Sequence, residues 1–165
     1  MLHADASEYM TNFTKPEDLV REIFDSDEEV KKQFENKFSG EILKFAEAIS
    51  GAFARYDKLV TSPQESVQTG LVLAFLHGVL DDLVTSMKLF VTGKLGASGN
   101  LVRQTLEGIC MAILCSESKP MKFQKDEAVY WKLMEAEDER SGGHRAIHML
   151  EANYDKLGVL QNGAK

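Results

Sequence analysis

The 165-residue sequence predicts an all-α fold, an antiparallel helical bundle of about five helices, on three observations. Apolar residues recur at three- and four-residue spacings over long stretches, no stretch shows the alternation of a strand, and proline, glycine and capping residues fall where the spacing breaks. The bundle is organised around residues 66–116, SVQTGLVLAFLHGVLDDLVTSMKLFVTGKLGASGNLVRQTLEGICMAILCS, which read as a central buried hairpin of helices turning through VTGKLGASGN. After Glu107 the second helix of the hairpin is apolar on every side, the pattern of a helix in a core.

Residues 1–13 show no period and are expected to be a flexible N-terminus, ahead of one bundle domain over 14–158 and a tail over 159–165. Thr14 stands three before Glu17 with Pro16 between them, a capping box that opens a short helix carrying Leu19, Val20, Ile23 and Phe24 inward. Ser26 and Glu29 form a second such pair. They start a long helix over 27–60 whose apolar positions run Val30, Phe34, Phe38, Ile42, Phe45, Ile49, Phe53, Tyr56, Leu59, with Gly40 and Gly51 as places to bend.

The first arm of the hairpin is expected to take Ser62 as N-cap, Pro63 at the first helical position and Glu65 two further on. Along it Ser66, Gly70, Ala74 and Gly78 form a stripe of small residues. An interior glycine costs up to about 1 kcal/mol against alanine, so the stripe predicts a neighbouring helix packed closely on it. Gly93 and Gly96 end this arm, and Ser98 or Asn100 caps the next. Glu117–Pro120 reads as a polar linker to a final helical region with Phe123, Val129, Trp131, Leu133 and Met134. A kink at Gly142-Gly143 follows, and the apolar spacing resumes at Ile147, Leu150, Tyr154 and Leu157 until Gly158.

Composition narrows the function. With 44% hydrophobic residues the chain is long enough to bury roughly two-thirds of its unfolded surface. Its net charge of -7 argues against general attraction to nucleic acid or an anionic membrane. Contiguous apolar runs such as GLVLAFL and GICMAILC fall short of the roughly 20 residues that span a bilayer, so a cytoplasmic protein without a membrane segment is expected. Cys110 and Cys115 lie five apart on one predicted helix, an offset that suits two small buried side chains and no disulfide. A P-loop order of glycines, lysine and hydroxyl is absent, Ser141 lacks the strand-turn-helix setting of a nucleophile, and no cofactor is expected.

Two groups of residues carry candidate chemistry. Arg103 and Glu107 lie four apart on one face of the second arm, at the edge of predicted buried surface, where Asp81 or Asp82 of the first arm comes within about two turns. They are expected to be buried, either as an ion pair fixing register or as part of a pocket for a small anionic ligand with His77 and Asp81. The second group is His144 and His148, at i and i+4 and thus on one side of a helix. With His77 they make three nitrogen ligands for a metal ion.

That triplet resembles the three-histidine arrangement of DinB-like four-helix proteins. Residues 68–158 resemble a large group of bacterial helical proteins of HEPN-like build: LVLAFLHGVLDDLVTSMKLFVTG, then LGASGN, then LVRQTLEGICMAILC with its arginine and glutamate four apart, then WKLMEAEDERSGGHRAIHMLEANYDKLG. The resemblance implies a helical bundle in which Arg103 and Glu107 are the transferred structural or pocket pair. The R-x4-6-H motif of HEPN ribonucleases is not reproduced: three residues separate Arg140 from His144, seven separate Arg140 from His148, and two separate Arg145 from His148. The leading expectation is therefore a non-enzymatic interaction or small-ligand-binding module that dimerises, burying the small-residue stripe or the Phe34/Phe38/Phe45 edge. The alternative is an enzyme, a HEPN-like nuclease relative or a metal-dependent DinB-like protein using His77, His144 and His148.

Overall fold

The computed structural model describes residues 16–23, 25–62, 66–123 and 126–157. The predicted all-α bundle is the fold found. Helices α1 (Pro16–Ile23), α2 (Glu28–Val60), α3 (Val67–Val91) and α4 (Leu95–Ser116) are followed by strands β1 (Met121–Phe123) and β2 (Asp126–Ala128), then α5 (Tyr130–Glu135) and α6 (Gly143–Ala152). The expected starts at Thr14 and Pro63, the side chain of Leu19, Phe24, the stop at Gly158, the N-terminal segment 1–13 and the tail 159–165 lie outside the described residues.

The α3–α4 hairpin makes the most extensive contact in the molecule. Three features hold its register. At the turn, the Ser86 hydroxyl donates to the Ser98 carbonyl at 3.1 Å, so the Ser98 hydroxyl donates in return to Ser86 Oγ at 3.0 Å. At the open end Gln68 Nε2 donates to the Cys115 carbonyl at 2.9 Å. In the middle, Gly108 lets the helices close: a Cβ there would sit 2.8 Å from Val79 Cγ2, inside contact distance. The bonds thus run from a 12-residue loop at the turn to a 47-residue one at the open end, as antiparallel zipping requires.

Several local expectations are corrected. Ser66, not Ser62, is the N-cap of α3, its oxygen accepting from the Thr69 amide at 3.1 Å. α4 begins at Leu95, before Ser98 and Asn100, because Gly93 with φ +76° turns the chain early and leaves Ser98 free to face Ser86. α2 starts after Asp27, which has φ +53° and makes no side-chain cap bond, so the Ser26/Glu29 pair is not used. Its one irregular residue is Phe38, not Gly40 or Gly51. Phe38 has φ -128° and ψ +19°, so the path of the helix breaks there.

Packing also departs from expectation. α1 exposes Val20 and Ile23 instead of carrying them inward. The stripe at Gly70, Ala74 and Gly78 is exposed, and a Cβ at either glycine would meet nothing within 4 Å, so the closely packed glycine is Gly108 on the other arm. The segment after Pro120 is a two-stranded antiparallel hairpin pairing Met121 with Ala128, not helix. Three residues per strand are too few for an alternation to show in the sequence. Buried Asn153 takes the place of a third strand, accepting from the Lys122 amide at 2.7 Å and donating to the Lys122 carbonyl at 3.1 Å.

The best-packed core lies at the open end of the hairpin, where Leu114, Cys115, Met121, Tyr130, Leu133, Ala146 and Leu157 are buried together. Tyr130 Oη donates to the Ser141 carbonyl at 2.8 Å, and burial pushes its phenol well above the usual range. Cys115 is likewise pushed up to about 12 by burial, which makes it the inert structural thiol expected.

Gly108→Ala is expected to destabilise the protein by about 1–3 kcal/mol, because the added methyl forces Val79 or the helix axis to shift. Gly78→Ala is expected to be neutral or to stabilise by up to about 1 kcal/mol. Urea unfolding of both variants against the parent checks the contrast.

Candidate functional site

Arg103 and Glu107 pair as the spacing predicts, Nη1 donating to Oε1 at 3.1 Å, but the pair is not shut away from solvent. The Arg103 side chain is 64% exposed and that of Glu107 is 18% exposed. The expectation of a buried charge pair is therefore overturned. The reason lies in what covers α4: α6, α5 and the β-hairpin pack on its C-terminal half, whereas α2 lies against α3, leaving the side of α4 at residue 103 open. Neither Asp81 nor Asp82 bonds to Arg103 among the described residues; the carboxylate it meets is Glu107. The inner end of the pair faces α6. A Cβ on Gly143, the first residue of that helix, would lie 3.8 Å from Glu107 Oε2, which sets a carboxylate near the positive end of the helix dipole.

The histidines do not converge. His77 is exposed, its ring centroid 5.8 Å from that of Tyr56 on α2. His144 Nε2 accepts from Arg145 Nε at 3.1 Å, and His148, 85% exposed, stands 3.5 Å from Glu151. Among the described residues no three of His, Cys, Asp or Glu are arranged to hold a metal. The three-histidine alternative is thus not assembled, and Asp81 is an exposed residue one turn from His77.

The most concentrated charge network belongs to the C-terminal core. Arg140 donates from Nε to both Asp138 oxygens at 2.9 and 3.1 Å and from Nη2 at 2.7 Å, while its own amide reaches Asp138 Oδ1 at 2.9 Å. Its guanidinium lies 5.8 Å from the Phe123 ring centroid. These bonds hold the Asp138 carboxyl well below the usual carboxylate range, at about 2. They brace the turn before α6, which Arg140 ties to the β-hairpin through Asp126 Oδ2 at 3.5 Å and the Phe123 ring.

What the sequence reading missed are apolar clefts along α2. No residue of α2 is buried, although its stripe faces α3 over much of its length. One cleft of about 380 Å³ is lined by Tyr56, Leu59, Leu76, Leu80 and Leu83. A second, of about 200 Å³, shares Leu83 and adds Phe45, Phe90 and, from α4, Ser98 and Val102. Together they form a valley floored by α3 and walled by α2 and α4. Val102 belongs to a stripe on α4, Leu95, Val102, Leu106 and Ile109, exposed to 59%, 43%, 51% and 36%. With Gly99 between the first two, the stripe steps by four and three, the spacing of a helix-packing seam. The signal was in the sequence but was read as core.

α3 also corrects the reading of contiguous runs: among the described residues it is the helix long and apolar enough to cross a membrane. Its polar residues, among them the pairs Asp81-Asp82 and Thr85-Ser86, interrupt the apolar stretches, so no contiguous run reveals this. In the fold it supplies buried Val79, Leu80 and Ser86. By fold and site the chain is an all-α bundle with an open apolar valley. No family model matches it, and no similar curated protein or solved structure was found.

Two predictions follow from the charges. Arg103→Ala is expected to cost under about 1 kcal/mol in urea unfolding, as for an exposed i,i+4 pair. For Asp138, the folded carboxyl titrates lower than the unfolded one, so its stabilising contribution is present above the unfolded value near 4 and is lost as pH falls toward 2. The stability gap between the parent and Asp138→Asn should therefore shrink across that window, measured by unfolding at stepped pH.

Proposed function

We propose that the protein is a non-catalytic interaction module that works by self-association, two copies docking through the α4 stripe and the valley beside it. The observation that carries this reading is the exposure of Leu95, Val102, Leu106 and Ile109 on a single face that opens onto the α2–α3 valley. Fully burying such a side chain contributes about 1.5–3 kcal/mol, and a stable dimer covers about 800 Å² per partner. Four of them in a row, beside clefts already lined by leucine and phenylalanine, are a sufficient source.

Charge supports the same face. Arg103 and Glu107 flank the stripe as a pair of opposite sign, so a twofold axis across α4 sets two neutral pairs side by side and brings no like charges together. In this reading three antiparallel helices of one copy receive a helix of the other, completing a four-helix layer. The HEPN-like resemblance contributes the build, helices that pair across a dimer axis, and no nuclease activity. The Arg103/Glu107 pair serves the interface, and among the described residues no hydrogen bond links His77 or Asp81 to it.

Sedimentation is expected to give the dimer mass for the parent. Leu106→Glu should weaken association by at least about a hundredfold, since it places an unpaired charge in the seam at a cost of roughly 3 kcal/mol or more. Leu43→Glu, at a residue 60% exposed and outside the clefts, should leave the mass unchanged. A monomeric parent at high concentration overturns the reading.

A further inference from the structure

The α2–α3 seam has a second flank. Val84, Lys88 and Val91 each follow by one residue a position that lines the valley, Leu83, Met87 and Phe90, and so point about 100° away around α3. There a further cleft of about 500 Å³ opens, back to back with the valley across Phe45, Ile49 and Met87 and within the range of roughly 300–1,000 Å³ usual for small-molecule sites. Its walls are Phe45, Ile49 and Phe53 from α2 and Val84, Met87 and Val91 from α3; the only polar side chains on it are Lys88 and Ser50.

The electrostatics of this lining run against those of the chain. Aspartate and glutamate outnumber lysine and arginine 26 to 19 overall, yet the cleft has no acid and one base. Among the described residues the Lys88 ammonium has no hydrogen bond or ion pair; outside the helix ladder, its carbonyl accepts from the Thr92 hydroxyl. An apolar trough with an unpaired cation and a hydroxyl is complementary to a molecule with one long apolar chain and one negative head.

We propose that this cleft binds a single-chain anionic amphiphile, a long-chain carboxylate, its chain laid between α2 and α3 and its carboxylate at Lys88. The chain supplies most of the affinity and the ammonium the preference for a negative head, modest because Lys88 is exposed. The site opens on the flank of the α2–α3 seam away from the α4 stripe, with Phe45 and Met87 lining both this cleft and the valley.

The test is isothermal titration of the full chain with octanoate, decanoate and dodecanoate below their micelle concentrations, and with decanol and decyltrimethylammonium. One saturable site per chain is expected, tightening about fourfold per added methylene until the cleft is filled. Decanoate should bind roughly three- to tenfold tighter than decanol, and Lys88→Gln should erase that difference. Val84→Trp should block the cleft, and Leu106→Glu should leave binding intact. No saturable binding, equal affinity for the three decyl compounds, a head-group preference that survives Lys88→Gln, or loss of binding in Leu106→Glu each overturns the proposal. If Val84→Trp does not fold, the exposed Lys88→Gln substitution decides.

Discussion

The close approach of α3 and α4 at Gly108 is the constraint on which the remaining structure depends. With no side chain there, Val79 seats directly against the α4 backbone, and only at that separation do the hydroxyls of Ser86 and Ser98 meet at one end and Gln68 reach Cys115 at the other. A glycine inside a helix is unfavourable by itself, so its place in the middle of the seam is explained by the packing it permits. The hairpin then presents two unequal halves. Its open end carries Leu114 and Cys115 into a core closed by the β-hairpin, α5 and α6, whereas toward the turn it carries α2 on one side and bare apolar residues on the other.

This inequality explains why charge sits where it does. In the closed half Tyr130 bonds to Ser141, Asn153 to Lys122 and Arg140 to Asp138, while the buried Trp131 Nε1 has no partner among the described residues. In the open half charge borders the apolar surfaces, Lys88 beside one cleft and Arg103 beside the α4 stripe. Lys94 of the α3–α4 turn reaches Asp27 Oδ2 at 2.7 Å and ties the start of α2 to this half, where Phe34 also meets Phe90 edge to face at 5.2 Å. α2 is thus fastened at its beginning and lies over α3 without burying a residue, the condition that leaves clefts on both flanks. Self-association and uptake of an amphiphile are two uses of one feature, apolar surface that a single chain does not cover.

Much of the local fold was legible. The long stripe from Val30 to Leu59, the hairpin around Gly93 and the four-residue offset of Arg103 and Glu107 are consequences of helical periodicity and are found where the spacing puts them. The errors cluster at caps and at short elements. Ser26 and Ser62 match a cap pattern, yet the chain enters α2 at Asp27 and α3 at Ser66. Strands of three residues leave no periodic trace. The candidate site was read wrongly for a different reason: the stretch after Glu107 is apolar on every side, and the burial it implies was extended back over the edge on which Arg103 and Glu107 lie, whereas Arg103 is 64% exposed.

The sequence by itself determined the long helices and which of their side chains share a face, because both depend on neighbours within a few positions along the chain. The tertiary structure alone decided which of those faces is covered. Leu106 and Leu114 are the same residue on the same helix, one 51% exposed and the other fully buried. Their difference arises from α5, α6 and the β-hairpin folding over one half of α4 and not the other, a long-range fact that spacing does not encode.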